Sequence, residues 1–589
     1  MASAFDSAGN VRTLGKHARA FGEDEPLFSL PYEAKPDFKK LYSRIVCGTA
    51  GAARFFADVV TDFTTTSFIN GIKVVWTFSE EDPAKLWRPL NIDALELDAL
   101  DYLIATLSTL KAYVDEEAGD ALSAAIDEEG SLAKARAQPG VKAWLNCQAR
   151  VVKMAETLTS ETGRRAVSGE VFKLLRDDTF PSKLNAKRDC LPFENGQLLL
   201  KARPLELRQR TKEDFVTYTL PYAWDSGADS SFMTRFVRNL YVDDAGVFDL
   251  EAEKALQTTV GYCATGEVMC KAFWTIIAPK NAGKTSLLVA LQNALGDFAV
   301  SSVAITDLLE GSNFEHDLAA ALAAPLPPRL VVFDEINTAK TVKQDILNTL
   351  TSGNEVNSLR SRQKGKGSAP APNFQAKLWF AGNNKLLMPP GADGTIFRCH
   401  GFGLTRTFDL LDGGVPLPGV SAPDPALIAH IESKETAARQ GIMRWIVEGA
   451  VLFYDAVAER GRAVWYAELS CPRFDADSFK LQLGSSEYMS WLAEACTPTG
   501  RSTERVSLDS LVAKYGDDRK VRALHHAQAA IKLVLDTCRP YVRPTRWVEY
   551  GTEVEGYVGM QFRRAGDADW ALPATRVAAL AAYRAELDM

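Results

Sequence analysis

The stretch Phe273-Trp-Thr-Ile-Ile-Ala-Pro-Lys-Asn-Ala-Gly-Lys-Thr-Ser-Leu-Leu-Val-Ala-Leu291 decides how this chain is read. Its first five residues are largely apolar, as expected of a strand buried on both faces. A loop follows, and a helix is expected to open at Gly283-Lys284-Thr285, carried on by Leu287, Leu288 and Leu291 and stopped near Gly296. A strand that feeds a loop into a helix N-terminus aims several backbone N–H groups at one point, where the helix dipole favours negative charge. Ala278, Pro279, Lys280, Asn281, Ala282, Gly283, Lys284, Thr285 and Ser286 therefore form a candidate phosphate-binding loop. Lys284 is placed to neutralise the outer phosphates of a nucleotide such as ATP, and the Thr285 hydroxyl to hold Mg²⁺. The pattern G-x-x-x-x-G-K-[ST] has Ala278 where its first glycine belongs, so an ordinary strand–turn–helix connection is the competing reading.

Three later segments bear on that choice. Arg329-Leu-Val-Val-Phe-Asp334-Glu335 reads as an apolar strand ending in two acids, and fifty residues separate Lys284 from Asp334. Successive strand residues point to opposite sides, so the carboxylates can divide the work. Asp334 is the candidate metal ligand and Glu335 the candidate group that polarises water. Lys377 to Gly382 reads as a further strand, ending in Asn383-Asn384, with Asn383 the candidate γ-phosphate sensor and a plain turn the alternative. Beyond it stands Arg398, a candidate to stabilise charge on a neighbouring subunit's nucleotide, with Arg406 as its competitor. Between the acids and Asn383, Arg360, Arg362, Lys364 and Lys366 lie among glycines with no acid, a basic loop suited to a phosphate backbone. A merely solvated loop would have the same composition.

The bulk properties exclude several classes. The 589 residues suggest several domains. No apolar run approaches the roughly 18 residues of a membrane span, and the N-terminus has no signal-peptide core. Nine cysteines without a C-x-x-C pair and six scattered histidines support neither a disulfide framework nor a zinc site, and fit a reducing compartment. With a net charge of −8, nucleic-acid contact would depend on local basic patches. Residues 1–44 read as a poorly ordered leader. Helical patterns at Ala99–Val114 and Val141–Leu158, strands near Gly71–Phe78 and Leu198–Leu200, and a turn at Asn195-Gly196 follow. Ala252–Cys263 reads as helix, as does the Ile442, Trp445, Ile446, Leu452, Phe453 series.

In order and spacing these elements resemble the superfamily 3 helicases, and more closely the helicase part of the primase-helicases of poxviruses, other large DNA viruses and phage-type plasmids. The resemblance spans about residues 45–565. It includes Gly51-Ala-Ala-Arg-Phe-Phe-Ala with Lys85-Leu-Trp87, and Leu191-Pro-Phe-Glu-Asn195-Gly196 with Leu220-Pro-Tyr222. Leu256-Gln-Thr-Thr-Val-Gly261-Tyr and Gly441-Ile-Met-Arg-Trp445-Ile-Val-Glu-Gly449-Ala complete it. The resemblance implies a hexameric ring moving on single-stranded DNA. Lys284 and Thr285 match its phosphate loop, Asp334 and Glu335 its acidic pair, Asn383 its sensor and Arg398 its arginine finger. Arg360, Arg362, Lys364 and Lys366 fall where it places a DNA-contacting hairpin. In the tail, Arg519, Lys520, Arg522 and Lys532 are further candidates for DNA contact, with a plain solvated surface helix the equal alternative. The family usually has Gly at 278, Asn at 282 and often His at 384. Only about 45 residues precede the helical region, so priming is expected from a separate primase or polymerase.

The expected fold is a multidomain one: an α-helical N-terminal region, an α/β P-loop (AAA+-like) core with a parallel sheet, and a winged-helix-like C-terminal domain. Its expected boundaries are a leader at 1–44, helical domain 45–230, ATPase core 231–420, helical lid 421–474, winged-helix-like domain 475–565 and tail 566–589. The expected function is an ATP-dependent replicative DNA helicase of a virus or mobile element, working inside the cell as a homo-oligomer with Mg²⁺ and no membrane contact. The rivals are a nucleotide-bound replisome scaffold, and a packaging or RNA-remodelling ATPase.

Overall fold

In the computed structural model, the described residues are 48–69, 72–90, 92–242, 246–300, 326–333, 342–352, 374–382, 398–404, 406–409, 420–461, 469–485, 487–499, 503–520, 524–536 and 542–564, with 45, 308, 360–361, 369–370, 386 and 395. They form two compact units, one up to Leu184 with Thr211–Thr217, the other Asn185–Arg210 with the chain from Tyr218 onward.

The first unit holds helix α1 (Thr49–Val60) and an antiparallel sheet of β1 (Thr64–Ile69), β2 (Ile72–Thr77) and β3 (Arg88–Leu90). Helices α2 (Ile92–Glu129), α3 (Pro139–Thr159) and α4 (Glu161–Leu174) follow. Ser160 caps α4 by accepting a hydrogen bond from the Gly163 N–H at 3.1 Å. Phe56, Tyr102, Leu103, Met154 and Val171 share one core, whereas Trp76, Phe78, Trp87 and Phe180 make a smaller aromatic one.

The second unit opens on β4 (Cys190–Phe193), β5 (Gly196–Leu199) and β6 (Glu206–Arg208), an antiparallel sheet. The β4–β5 hairpin expected at Asn195-Gly196 is present, but Gly196 already pairs with Phe193, so the two turn residues are Glu194 and Asn195. Asn195 has a further task that favours this register: its side chain grips the Trp224 backbone, donating to O at 2.9 Å and accepting from N at 2.8 Å.

Next come α5 (Ser231–Leu240), α6 (Leu250–Ala264), β7 (Phe273–Ile277), α7 (Lys284–Leu295), β8 (Ala299–Val300), β9 (Leu330–Phe333) and α8 (Gln344–Leu350). Then follow a short pair, β10 (Arg360–Ser361) and β11 (Ala369–Pro370), and β12 (Lys377–Gly382), β13 (Cys399–Gly403), β14 (Thr407–Phe408) and β15 (Val420–Ser421). The central sheet runs β13-β7-β12-β9-β8, and every pairing in it is parallel. Strand alternation divides its side chains between two cores. Trp274, Ile276, Leu330, Val332, Trp379 and Ala381 face one, while Phe273, Val331, Phe333, Leu378 and Phe380 face the other.

Helices α9 (Pro425–Ile431), α10 (Thr436–Arg460) and α11 (Pro472–Ser485) flank this core. The N–H groups of Gly401 and Gly403 on the edge strand β13 donate to Ser478 Oγ at 2.8 Å and Asp477 Oδ2 at 3.0 Å, so α11 covers that edge. Helices α6 and α10 touch backbone to backbone: a Cβ on Gly261 would lie 2.1 Å from Ala450 N, and one on Gly449 2.0 Å from Gln257 O. The chain continues with α12 (Glu487–Ala495), β16 (Cys496–Pro498), β17 (Arg505–Ser507), α13 (Leu508–Arg519), α14 (His525–Asp536), β18 (Arg543–Glu549), β19 (Thr552–Val558) and β20 (Met560–Phe562). Among the described residues no helix is long and apolar enough to cross a membrane.

Two cations are buried at the amino edge of the central sheet. Arg329 donates to the carbonyls of Cys190 at 2.9 Å and Ala264 at 2.7 Å, and Lys377 Nζ donates to those of Thr265 and, at 2.9 Å, Gln375. Ala264 and Thr265 end α6, where the helix dipole favours positive charge. Burial nevertheless pushes Lys377 down from 10.5 to about 7. Between those values the unfolded chain holds a proton that the folded chain has shed, so this group's contribution to stability grows as pH rises through that window. The denaturant-measured stability gap between wild type and Lys377→Met is therefore expected to widen in favour of wild type from pH 7 to pH 9, and an unchanged gap would contradict the assignment. Gly261→Ala is expected to cost about 1–3 kcal/mol in the same assay, through overpacking of the α6–α10 crossing.

Candidate nucleotide-binding site

In a parallel sheet the loops at the carboxyl ends of the strands gather along one edge, and ligands bind there where the direction of strand addition reverses. Numbered along the chain, the five strands of the central sheet lie in the order 5-1-4-3-2. The first, β7, has the fifth on one side and the fourth on the other, so the reversal falls at β7 and the loop that follows it.

The start of that loop is tied to the strands on either side of β7. Ala278 N donates to Gly382 O at the end of β12 at 3.4 Å, and Leu404 N, just past β13, donates to Ile277 O at 3.3 Å. Ala278 is buried and is not among the left-handed positions, so alanine meets no backbone penalty there. Asn281 and Gly283 are left-handed, with φ of 59° and 81°. Asn281 O accepts from Phe408 N at 2.8 Å. The position before Lys284 has two reasons to be glycine, since a Cβ there would also lie 2.7 Å from Leu240 Cδ2. Helix α7 starts at Lys284, with Leu287 N donating to Gly283 O at 3.0 Å. Lys284 is half-buried and Thr285 exposed, while Ser286 turns inward and donates to Glu432 Oε1 at 2.7 Å. Ser286 thus joins α7 to the residue that ends α9, a contact with no local sequence signal.

Beside the loop lies a cavity of ≈ 210 Å³. Phe236, Phe408, Leu427 and Ile428 form its apolar wall, and Asn239 and Asp424 are polar groups on it. Asn281, Gly283 and Ser286 belong to the same lining, so the cavity and the loop are continuous. The wall comes from residues almost two hundred positions apart, which sequence reading missed.

The other expected site residues fall into three groups. Asp334, Glu335, Asn383, Arg362, Lys364 and Lys366 lie outside the described residues, as do Asn384 and Arg522. Arg360 is described by its backbone, in β10, where it pairs with Pro370 while Ser361 pairs with Ala369, an antiparallel pair at the base of the basic segment. Arg398 stands at the opposite edge of the sheet from the loop: its carbonyl accepts from Phe273 N at 2.9 Å, at the start of β7. At about 3.3 Å per residue, the five-residue β7 puts it roughly 16 Å from the loop of its own chain. Its guanidinium donates to Asn348 O at 3.0 Å and Thr351 Oγ1 at 2.9 Å. Arg406 is at the loop's edge, donating to Ser421 Oγ and, at 3.4 Å, Val242 O. In the tail, Arg519 is ion-paired with Glu494 at 2.9 Å and Lys532 with Glu555 at 2.6 Å. Among the described residues no cluster of three or more His, Cys, Asp or Glu side chains suits a metal ion.

No family model matches the chain, and no curated protein matches it. Among solved structures it is similar to the A-form apo structure of the NrS-1 C-terminal region, at 13% identity and a TM-score of 0.28, over 64% of this chain and 84% of that one. A second A-form apo structure of that region, residues 305–718, gives 9% identity and a TM-score of 0.26 over 63% and 96%. A third, also apo, gives 12% and 0.26 over 57% and 79%.

The loop geometry makes a paired prediction. Gly283→Ala, with left-handed φ and a clash against Leu240, is expected to lower stability by about 1–3 kcal/mol in a denaturant titration. Asn281→Gly, which removes a side chain from a left-handed position, is expected to be neutral or slightly stabilising.

Proposed function

We propose that this chain is a nucleotide hydrolase whose phosphate loop is Ala278–Ser286, and that it acts as a replicative DNA helicase of a virus or mobile element. The observation that carries the reading is the loop after β7, with its left-handed Asn281 and Gly283, at the reversal point of a parallel sheet ordered 5-1-4-3-2. That order and a helix opening at Lys284 support an AAA+-like P-loop core. Lys284 would neutralise the outer phosphates of ATP. The exposed Thr285 hydroxyl, in the first turn of α7, suits a Mg²⁺ ligand, and Asp334 would complete the set. When bound, Mg²⁺ would supply charge neutralisation on the phosphates.

Phe333 and Gly382 end β9 and β12 at the edge that carries the loop, and Phe380 stands opposite Phe333 in the register. Chain continuity then supports Asp334, Glu335 and Asn383 as the groups that face the phosphates. Glu335 would take the proton of the attacking water and Asn383 would orient that water. Arg398, too far from its own loop, would serve a neighbouring subunit's nucleotide, which fits a ring and a hexamer. The β10–β11 pair supports a hairpin carrying Arg360, Arg362, Lys364 and Lys366 to single-stranded DNA. Helices α13 and α14 with the sheet β17-β19-β18 support a winged-helix-like tail. Priming would fall to a separate primase or polymerase.

The test is ATP hydrolysis with and without single-stranded DNA. Wild type is expected to be stimulated by DNA, and Lys284→Ala and Glu335→Gln each to lose at least about a hundredfold in turnover. Glu335→Gln should still bind ATP. Near-normal hydrolysis by Lys284→Ala would overturn the reading, and stimulation by RNA alone would move it to an RNA-remodelling ATPase.

A further inference from the structure

We propose that Glu432 sets how tightly the loop after β7 holds phosphate, its carboxylate opposing the phosphates across the first turn of α7, an inference that rests on nucleotide binding at that loop. The positive end of a helix is where an anion gains most. The first turn of α7 carries no acid of its own, so nothing within it competes with phosphate. The acid comes from the end of α9 instead: Ser286, the third residue of α7, donates its hydroxyl hydrogen to Glu432 Oε1 at 2.7 Å. A carboxylate is thereby held against the turn that begins with Lys284 and Thr285.

The surroundings decide how much of that charge reaches the loop. Asp424, at the other end of α9, caps the helix by accepting from Leu427 N at 3.0 Å, and its Oδ2 is 3.3 Å from Arg235 Nη2. Glu432 has no such cation beside it: among the described residues its carboxylate meets Ser286 and no lysine or arginine. Its backbone is anchored separately. Glu432 O accepts from Asn293 Nδ2 at 2.9 Å, and Glu432 N donates to Ile428 O at 2.9 Å. Asn293 stands seven residues after Ser286 and so on the same face of α7. Leu427 and Ile431 are buried in the core. Helix α9 is therefore seated on α7 without help from the carboxylate, whose remaining effect is that of its charge. Like charges a few ångströms apart repel, and salt weakens the repulsion. Glu432 thus loosens phosphate binding and hastens release of the product.

The test is titration of the full chain with mant-ADP and Mg²⁺, comparing wild type with Glu432→Gln and Glu432→Asp. Glutamine keeps the side chain's length and an oxygen for Ser286 but drops the charge, whereas aspartate keeps the charge. Glu432→Gln is expected to bind mant-ADP about three- to tenfold more tightly than wild type at low salt, with slower dissociation. That gain is expected to vanish at roughly 1 M salt, and Glu432→Asp to stay near wild type. Binding by Glu432→Gln no tighter than wild type, a gain that persists undiminished at high salt, or the same gain in Glu432→Asp would overturn the role of Glu432 while leaving the loop in place. Absence of mant-ADP binding by wild type would overturn the loop assignment, and this proposal with it.

Discussion

Parallel pairing of the central strands constrains the rest of the second unit. Parallel strands cannot be joined by tight turns, so each connection must cross over a face of the sheet, and all the carboxyl ends gather along one edge. Both faces are then covered, which is why β9 and β12 are buried along their whole length. The sheet's order sends the chain away from β7 toward the far edge and brings it back to the other side, leaving the loop after β7 at the point of reversal. Left-handed backbone at Asn281 and Gly283 bends that loop into the N-terminus of α7. The end of α5 closes over it through Leu240.

The opposite edge is held by different means. Arg329 and Lys377 are buried beside the terminal carbonyls of α6, so the helix preceding β7 is fastened to the starts of β9 and β12. The same helix meets α10 at Gly261 and Gly449, where only hydrogen side chains allow contact. The loop thus sits on a strand whose neighbours, preceding helix and far edge are all fixed.

Much of this was legible in the sequence because burial on both faces erases alternation. FWTII, LVVF and KLWFAG read as apolar runs and are β7, β9 and β12. β13, Cys-His-Gly-Phe-Gly, gave no such signal: it is an edge strand whose glycines admit α11, so its composition reflects that contact. Strand order is invisible in a sequence, and so is the edge on which a residue stands, which is why the sequence could set Arg406 beside Arg398 only as a competitor without showing that the two stand at opposite edges of the sheet. The hairpin at Asn195 was visible but shifted by one residue, because the Asn195 side chain bonds to Trp224 rather than acting only as a turn former. The cavity was out of reach because its wall joins α5 to α9.

The proposed helicase reading stands or falls on whether the loop after β7 binds nucleotide phosphates. The most direct measurement is a crystal structure of the chain grown with a non-hydrolysable ATP analogue and Mg²⁺. The triphosphate is expected within hydrogen-bond distance of the backbone N–H groups between Asn281 and Thr285, with Lys284 Nζ on its outer phosphates. An analogue bound elsewhere, with the loop unoccupied, would contradict it.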